Sequence, residues 1–302
     1  MSSLPNATDP GACAALAASL WAELGAPLAR LHSHVAVDPE PLIVFTPTLA
    51  RNEGRLLGLA ASWCLRYEAR ISASRLAHVA KRAPRGVAEA WEAFRGDLAA
   101  HGGSWGKPAP SPRPVDVRVV GLDITRPALI RLRMRGLAGV AARADVLVEL
   151  LARANEWHSA QVGDPIATRR STDVVLTDLV ATGLVDERTT GGRREVRLAE
   201  PNALARLVGG AADLAYPSWA QIFEWMLLAE QELGAGPPAT AEAQVSEAAR
   251  RRALRTTGRD LGLPDPGPDL GAWASLHASQ LANGSSPLFA LRSGRAARVR
   301  SW

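Results

Sequence analysis

Residues Ala142–Leu198, ARADVLVELLARANEWHSAQVGDPIATRRSTDVVLTDLVATGLVDERTTGGRREVRL, decide the fold. Leu147, Leu150 and Leu151 recur at helical spacing, so Ala142 to Ala154 presents one apolar stripe. Ser159 suits the N-cap of a short helix, and Asp164-Pro165 is a turn signal. A longer helix then opens at Ser171 or Thr172. Thr172, Val175, Leu176, Leu179 and Gly183 fall on one of its faces, and Arg170, Asp173, Val174 and Thr177 on the other. Gly183 is a helix stop. Leu184-Val185 enters a strand, Thr189-Thr190-Gly191-Gly192 reads as a hairpin turn, and the return strand runs from Arg193 to Leu198.

This order of elements resembles the winged helix-turn-helix of bacterial transcriptional regulators, above all the arsenic-repressor-like and multiple-antibiotic-resistance-repressor-like proteins. The likeness rests on Ser171-Thr172, Leu176-Thr177-Asp178-Leu179, Ala181 to Val185 and the Gly191-Gly192-Arg193-Arg194 wing. It runs over about residues 128–198, roughly a fifth of the chain. One departure is Gly163 and Pro165 in the helix before the recognition helix, where a regular alanine-rich helix is usual; the proline would shorten it and widen the turn.

The resemblance implies double-stranded DNA as partner. The major groove admits one helix whose N-terminal residues reach base edges, which points to Arg169, Arg170, Ser171 and Thr172, with Thr177 further along. Free N–H groups at the same helix end suit phosphate. Arg188, Arg193, Arg194 and Arg197 lie on or beside the wing, in reach of a flanking minor groove. Asp173, Asp178, Asp186, Glu187 and Glu195 are interleaved with them, so the face is not uniformly basic. A winged helix that grips another protein, or serves as scaffold without binding DNA, is therefore the alternative. A homodimer is the assembly the resemblance implies, and a small-molecule effector sensed by the N-terminal part is a third reading.

The chain has 302 residues, 47% hydrophobic, with a formal charge of +5. That length favours two or three domains and the composition allows packed cores. Lysine occurs only at Lys81 and Lys107, so the positive charge is nearly all arginine, which suits bidentate phosphate and guanine recognition. A GC-rich genome accounts for the same bias. Cys13 and Cys64 are too few and too far apart for a disulfide framework or a zinc site, which points to a reducing cytosol. The first basic residue is Arg30, no apolar span is long enough to cross a bilayer, and a soluble cytoplasmic protein is expected.

The fold class expected is mainly α with small β-hairpins. Residues 1–104 form an N-terminal helical domain, 105–124 a linker and strand, 125–200 the winged helix, 201–284 a C-terminal helical segment and 285–302 a basic tail. In the first of these, Met1 to Pro10 is a loose leader, and Leu16, Leu20, Leu24 and Leu28 form a helical seam that is either core or a subunit contact. The apolar run Val35 to Phe45, interrupted by Pro39 and Pro41, reads as one or two short strands. Helices follow over Arg51 to Arg70 and Gly86 to Ala100, with a serine-capped short helix between them. That order suggests a degenerate second winged-helix-like unit, or simple three-helix packing.

Val115 to about Leu122 alternates as a strand, and Thr125-Arg126-Pro127 starts a helix bearing Arg131, Arg133 and Arg135, which packs under the module. Beyond the wing, Glu200 to Gly209 reads as a linker. Trp219, Ile222, Phe223, Met226 and Leu227 mark an apolar helix that builds a dimer or walls a ligand pocket, Glu242 to Leu261 and Trp273 to Leu281 follow, and Arg292, Arg295, Arg298 and Arg300 lie in the tail. His32 and His34 lack partners at metal-ligand spacing, and His158 reads as a cap or core edge. No nucleophile elbow, phosphate-binding glycine loop or zinc-protease signature occurs. No catalytic residue, cofactor or metal is expected.

Overall fold

A computed structural model of the chain describes residues 11–110, 112, 115, 121–154, 156–160, 169–209, 214–235, 238 and 240–290. Among them the protein is mainly helical, with a small three-stranded antiparallel sheet. In chain order these are α1 (Ala12–Glu23), α2 (Pro39–Leu49), α3 (Gly54–Tyr67), α4 (Ala73–Arg82), α5 (Arg85–Ala100), α6 (Ile130–Ala138), α7 (Ala142–Ala152), β1 (His158–Ser159), α8 (Arg169–Ala181), β2 (Val185–Thr190), β3 (Arg193–Leu198), α9 (Pro201–Val208), α10 (Trp219–Leu233), α11 (Ala241–Leu261) and α12 (Leu270–Ala282). None of the described helices is long and apolar enough to cross a membrane.

Two apolar cores organise these elements. The larger is built from both ends of the chain, α1 to α5 with α10 to α12, around Trp21, Phe45, Trp63, Trp219, Phe223 and Trp225. The smaller joins α6 to α9 and the sheet through Ile130, Met134, Val146, Leu176, Val196 and Val208. The expected units 1–104 and 201–284 thus share one interior through residues 12–100 and 219–282, while α9 of the second joins the smaller core. Neither end buries its own apolar faces alone. Within the larger core the Trp21 indole N–H donates to Thr46 Oγ1 at 2.9 Å, that of Trp63 to the Leu24 carbonyl at 2.9 Å, and that of Trp219 to the Ala36 carbonyl at 2.7 Å. Leu16, Leu20 and Leu24 of the first seam are fully buried there, so the seam is core.

Three expectations are corrected. Leu42, Ile43, Val44 and Phe45 belong to a helix, α2. Pro39 and Pro41 lie in its first turn, where a missing N–H and a fixed φ favour a helix, and a short run that is apolar all round is compatible with a helix buried on every side. The strand-like pairing there is the isolated bridge between Val35 and Ala215. The expected linker after the wing is α9, begun by Pro201 and ended by Gly209 at φ 71°, with Val208 buried. Finally, Trp219, Ile222, Phe223, Trp225, Met226 and Leu227 of α10 are consumed inside the chain, so this helix offers no free dimer face.

The serine-capped α4 does join α5 through Ala83 and Pro84, with the Ser72 side chain accepting from Arg75 N. No strand follows α5 among the described residues until β1, so what is described of the N-terminal part is helix packing. The Met1 to Pro10 leader, residues 116–120 of the expected strand, the Gly163 to Pro165 turn and the tail arginines all fall outside the described residues.

Candidate nucleic-acid interface

The site begins with α8. Thr172, Leu176 and Leu179 face the smaller core and are buried. Arg169, Arg170, Ser171, Asp173, Val174, Thr177 and Asp178 are exposed. The helix is described from Arg169 onward, so both arginines lie on it, ahead of the Ser171 or Thr172 start that was expected. Thr172 is corrected: its side chain is only 2% exposed, so it belongs to the packing surface and not to the outward end. Thr177 is outward, with its Oγ1 donating to the Asp173 carbonyl at 2.8 Å.

Two glycine features hold α8 to the hairpin. After Ala181 the Gly183 N–H donates to the Val180 carbonyl at 2.9 Å and the Leu184 N–H to the Leu179 carbonyl at 3.0 Å. Gly183 takes φ 71°, which completes a Schellman stop. Gly191 and Gly192, at φ 58° and 76°, form the two-residue turn between β2 and β3, a conformation matched to the twist of the strands. The sheet order is β1-β3-β2, with His158 opposite Val196, Val185 opposite Leu198 and Arg188 opposite Glu195. Val185, Val196 and Leu198 seal the base of the hairpin against the core, and His158 is a buried edge of it.

The β2–β3 hairpin is electrically compensated. Arg188 Nε donates to Glu195 Oε2 at 2.7 Å, Arg194 to Glu187 Oε2 at 2.8 Å, and Arg197 Nε to Asp186 Oδ2 at 3.0 Å. Bonds from Arg188 and Thr190 hold the Glu195 carboxyl below the usual range. The Arg188 and Arg197 guanidiniums also lie 4.2 and 4.7 Å from the Trp157 ring centroid, cation–π contacts that further order them. Of the wing arginines expected to reach DNA, Arg193 at the turn carries no ion pair among the described residues. On α8, Arg169 and Arg170 carry none either, whereas Asp178 pairs with Arg143 at 2.9 Å.

Beneath the module lies a buried ionic cluster that the spacing of the sequence alone did not reveal. Arg135 bonds both Glu40 oxygens and Asp145, and Arg75 bonds Asp38 and Glu40. Arg131 reaches Asp38, Asp145 and Glu149. Burial pushes the Asp38 carboxyl up, but Arg131 and Arg75 overcome it and leave it at about 2; Glu40 is likewise held low, by Arg135 and Arg75. A partial signal exists: Arg131 and Arg135 share one face of α6, as Asp145 and Glu149 share one face of α7. Arg133, on another face, clamps the backbone carbonyls of Ile124, Thr125, Val208 and Gly209. The expectation of a helix packed under the module holds, with Arg131 and Arg135 buried alongside Ile130, Leu132 and Met134.

Among the described residues no cluster of histidine, cysteine and carboxylate suits a metal ion. Comparison with known proteins found no match to a protein family, a curated protein or a solved structure.

Proposed function

We propose that the chain is a transcriptional regulator that binds double-stranded DNA sequence-specifically through a winged helix-turn-helix spanning α7 to β3, and that it works as a homodimer. The observation that carries this reading is α8 itself. One face of it is sealed in the core by Thr172, Leu176 and Leu179, while the N-terminal end of its described part presents Arg169 and Arg170 outward without carboxylate partners among the described residues. A helix so held, followed by a hairpin whose tip bears Arg193, suits insertion into a major groove with the hairpin alongside. A two-fold pair of such helices would read a near-palindromic site.

The compensated wing and the exposed Val174 and Leu184, 57% and 53% accessible, favour a second reading, a winged helix that binds protein. Salt separates the two. Titration of DNA fragments from upstream of the protein's own gene, at two salt concentrations, should give affinity that falls steeply with salt. Arg170→Ala should lose discrimination between sequences by about 1–3 kcal/mol, and Arg193→Ala should weaken all sequences alike. Absence of binding at low salt would leave the protein-binding reading.

A further inference from the structure

A second cationic surface lies far along the chain from α8, on α11. This helix packs through Leu254, Gly258 and Leu261, all buried. Gly258 is the point of closest approach: a Cβ there would sit 2.6 Å from Trp273 Cη2 and 3.0 Å from Trp225 Nε1. That close packing fixes which face of α11 points outward. At 100° per residue Arg252 and Arg259 fall towards the opposite face and Arg255 on its flank, about a quarter-turn from the packed stripe; they are spaced three and four residues apart, and all three are exposed.

Arg250 and Arg251 on the flank are engaged with Glu232, Arg251 also with Glu247. Arg252 and Arg255 have no ion pair among the described residues, and Arg259 meets only the exposed Asp265 at 3.8 Å. Like charges at these spacings oppose helix formation. The helix dipole accounts for Arg259 in the last turn, but not for Arg252 and Arg255 further in.

We propose that the Arg252–Arg255–Arg259 ridge binds the phosphate backbone of duplex DNA independently of sequence, adding a second point of attachment to the one made by α8 and the wing, on whose DNA-binding reading it rests. Three guanidiniums along about 10 Å of helix face a polymer with one negative charge every ~1.7 Å of its axis, so all three find phosphates at once. A membrane surface fits less well. The apolar face of α11 is spent on Trp225 and Trp273, leaving only Val245 outward to enter lipid. A compact phosphate ligand also fits less well, because the cleft beside the ridge, between α11 and the start of α12, is lined by the Glu232 and Asp269 carboxylates as well as Arg251 and Arg255.

The test uses the full chain and two duplexes, an upstream fragment and one of unrelated sequence, with affinity measured across a salt series. Replacing all three arginines by glutamine should lower affinity for both duplexes by the same factor and flatten the plot of log K against log salt by about 0.9 for each phosphate no longer neutralised. The corresponding triple lysine variant should restore most of the slope. Circular dichroism should be unchanged in both variants, since the side chains are exposed. Unchanged affinity and slope in the glutamine variant, with wild type binding, would overturn the ridge but leave the α8 reading standing. Binding that depends on the ridge and ignores Arg169→Ala/Arg170→Ala would overturn the α8 reading instead. A wild type that binds neither duplex, or whose ridge engages only anionic vesicles, would overturn the proposal.

Discussion

Arg135 grips Glu40 with both terminal nitrogens, at 2.6 and 2.9 Å, and neither side chain is exposed to solvent. Arg135 belongs to α6, beneath the candidate DNA-binding module, and Glu40 to α2 in the larger core. The joint between the two cores is therefore charged as well as apolar, with Arg75, Arg131, Asp38, Asp145 and Glu149 completing it. Buried ions stay favourable only when their hydrogen bonds are satisfied in one geometry. The cluster thus orients the module on the body as well as attaching it.

Removing one partner of this pair should be severe. Arg135→Met leaves Asp145 with Arg131 at 3.5 Å and costs Glu40 its bidentate partner. Destabilisation of about 3–5 kcal/mol is expected, read as a lower urea midpoint. Glu40→Gln combined with Arg135→Met should cost clearly less than the two single effects added, because they remove the same interaction. Full additivity would show that the pair is not coupled.

Stability should fall on mild acidification through His32. Its Nδ1 lies 2.7 Å from Ser19 Oγ and its Nε2 2.8 Å from the Leu281 carbonyl, which can only accept, so Nε2 carries the proton and Ser19 donates to Nδ1. Burial lowers its pKa to about 4, against an upward pull from the Leu281 hydrogen bond. The unfolded chain, with its imidazole near 6.5, binds the proton first as pH falls. The contribution is present above pH ~6.5 and is lost towards pH ~4, amounting to about 2 kcal/mol by pH ~5. His32→Gln should show a smaller loss of denaturant midpoint between pH ~7 and pH ~5; an identical loss in both proteins would sink the assignment.

On the wing, charge removal should act unequally. Arg193→Ala should reduce DNA affinity and flatten its salt dependence, whereas Arg188→Ala and Arg197→Ala, already paired with Glu195 and Asp186, should change the slope less. Trp157→Ala should loosen Arg188 and Arg197 together, since it removes the ring that both touch. Equal slopes for the three arginine variants would mean that the pairing does not persist in the complex.

Gly258→Ala should destabilise the larger core by about 1–3 kcal/mol, through the overlap with Trp273 and Trp225. Gly183→Ala should cost about 1 kcal/mol for a different reason, its φ of 71°, with open space where the methyl would go. Thermal melting ranks them: a larger loss at Gly183 would contradict this account of Gly258.

The local parts of the candidate site were legible because they depend on neighbours in the chain. Gly183 ends α8, Gly191-Gly192 turns the hairpin, and the return strand runs from Arg193 to Leu198. Such features follow from backbone preferences and a period of two or 3.6, which a single sequence displays. The run Leu42 to Phe45 was not legible, since a short wholly apolar segment carries no period to distinguish a buried helix from a buried strand. Thr172 was ambiguous because its position served both the N-terminal end and the inward face of α8, and packing chose the inward face.

By itself the amino-acid sequence determined the amphipathic helices, the hairpin and the glycine stops, because each is fixed by residues a few positions apart, but not α2 or α9. Only the tertiary structure decided that the two ends of the chain share one core, that Arg131 and Arg135 are spent on carboxylates up to 95 residues away, and that most wing arginines are neutralised by their cross-strand partners. A guanidinium looks the same in sequence whether it awaits a phosphate or already holds a carboxylate. The distinction is made by distance and burial, which arise only when remote segments are brought together.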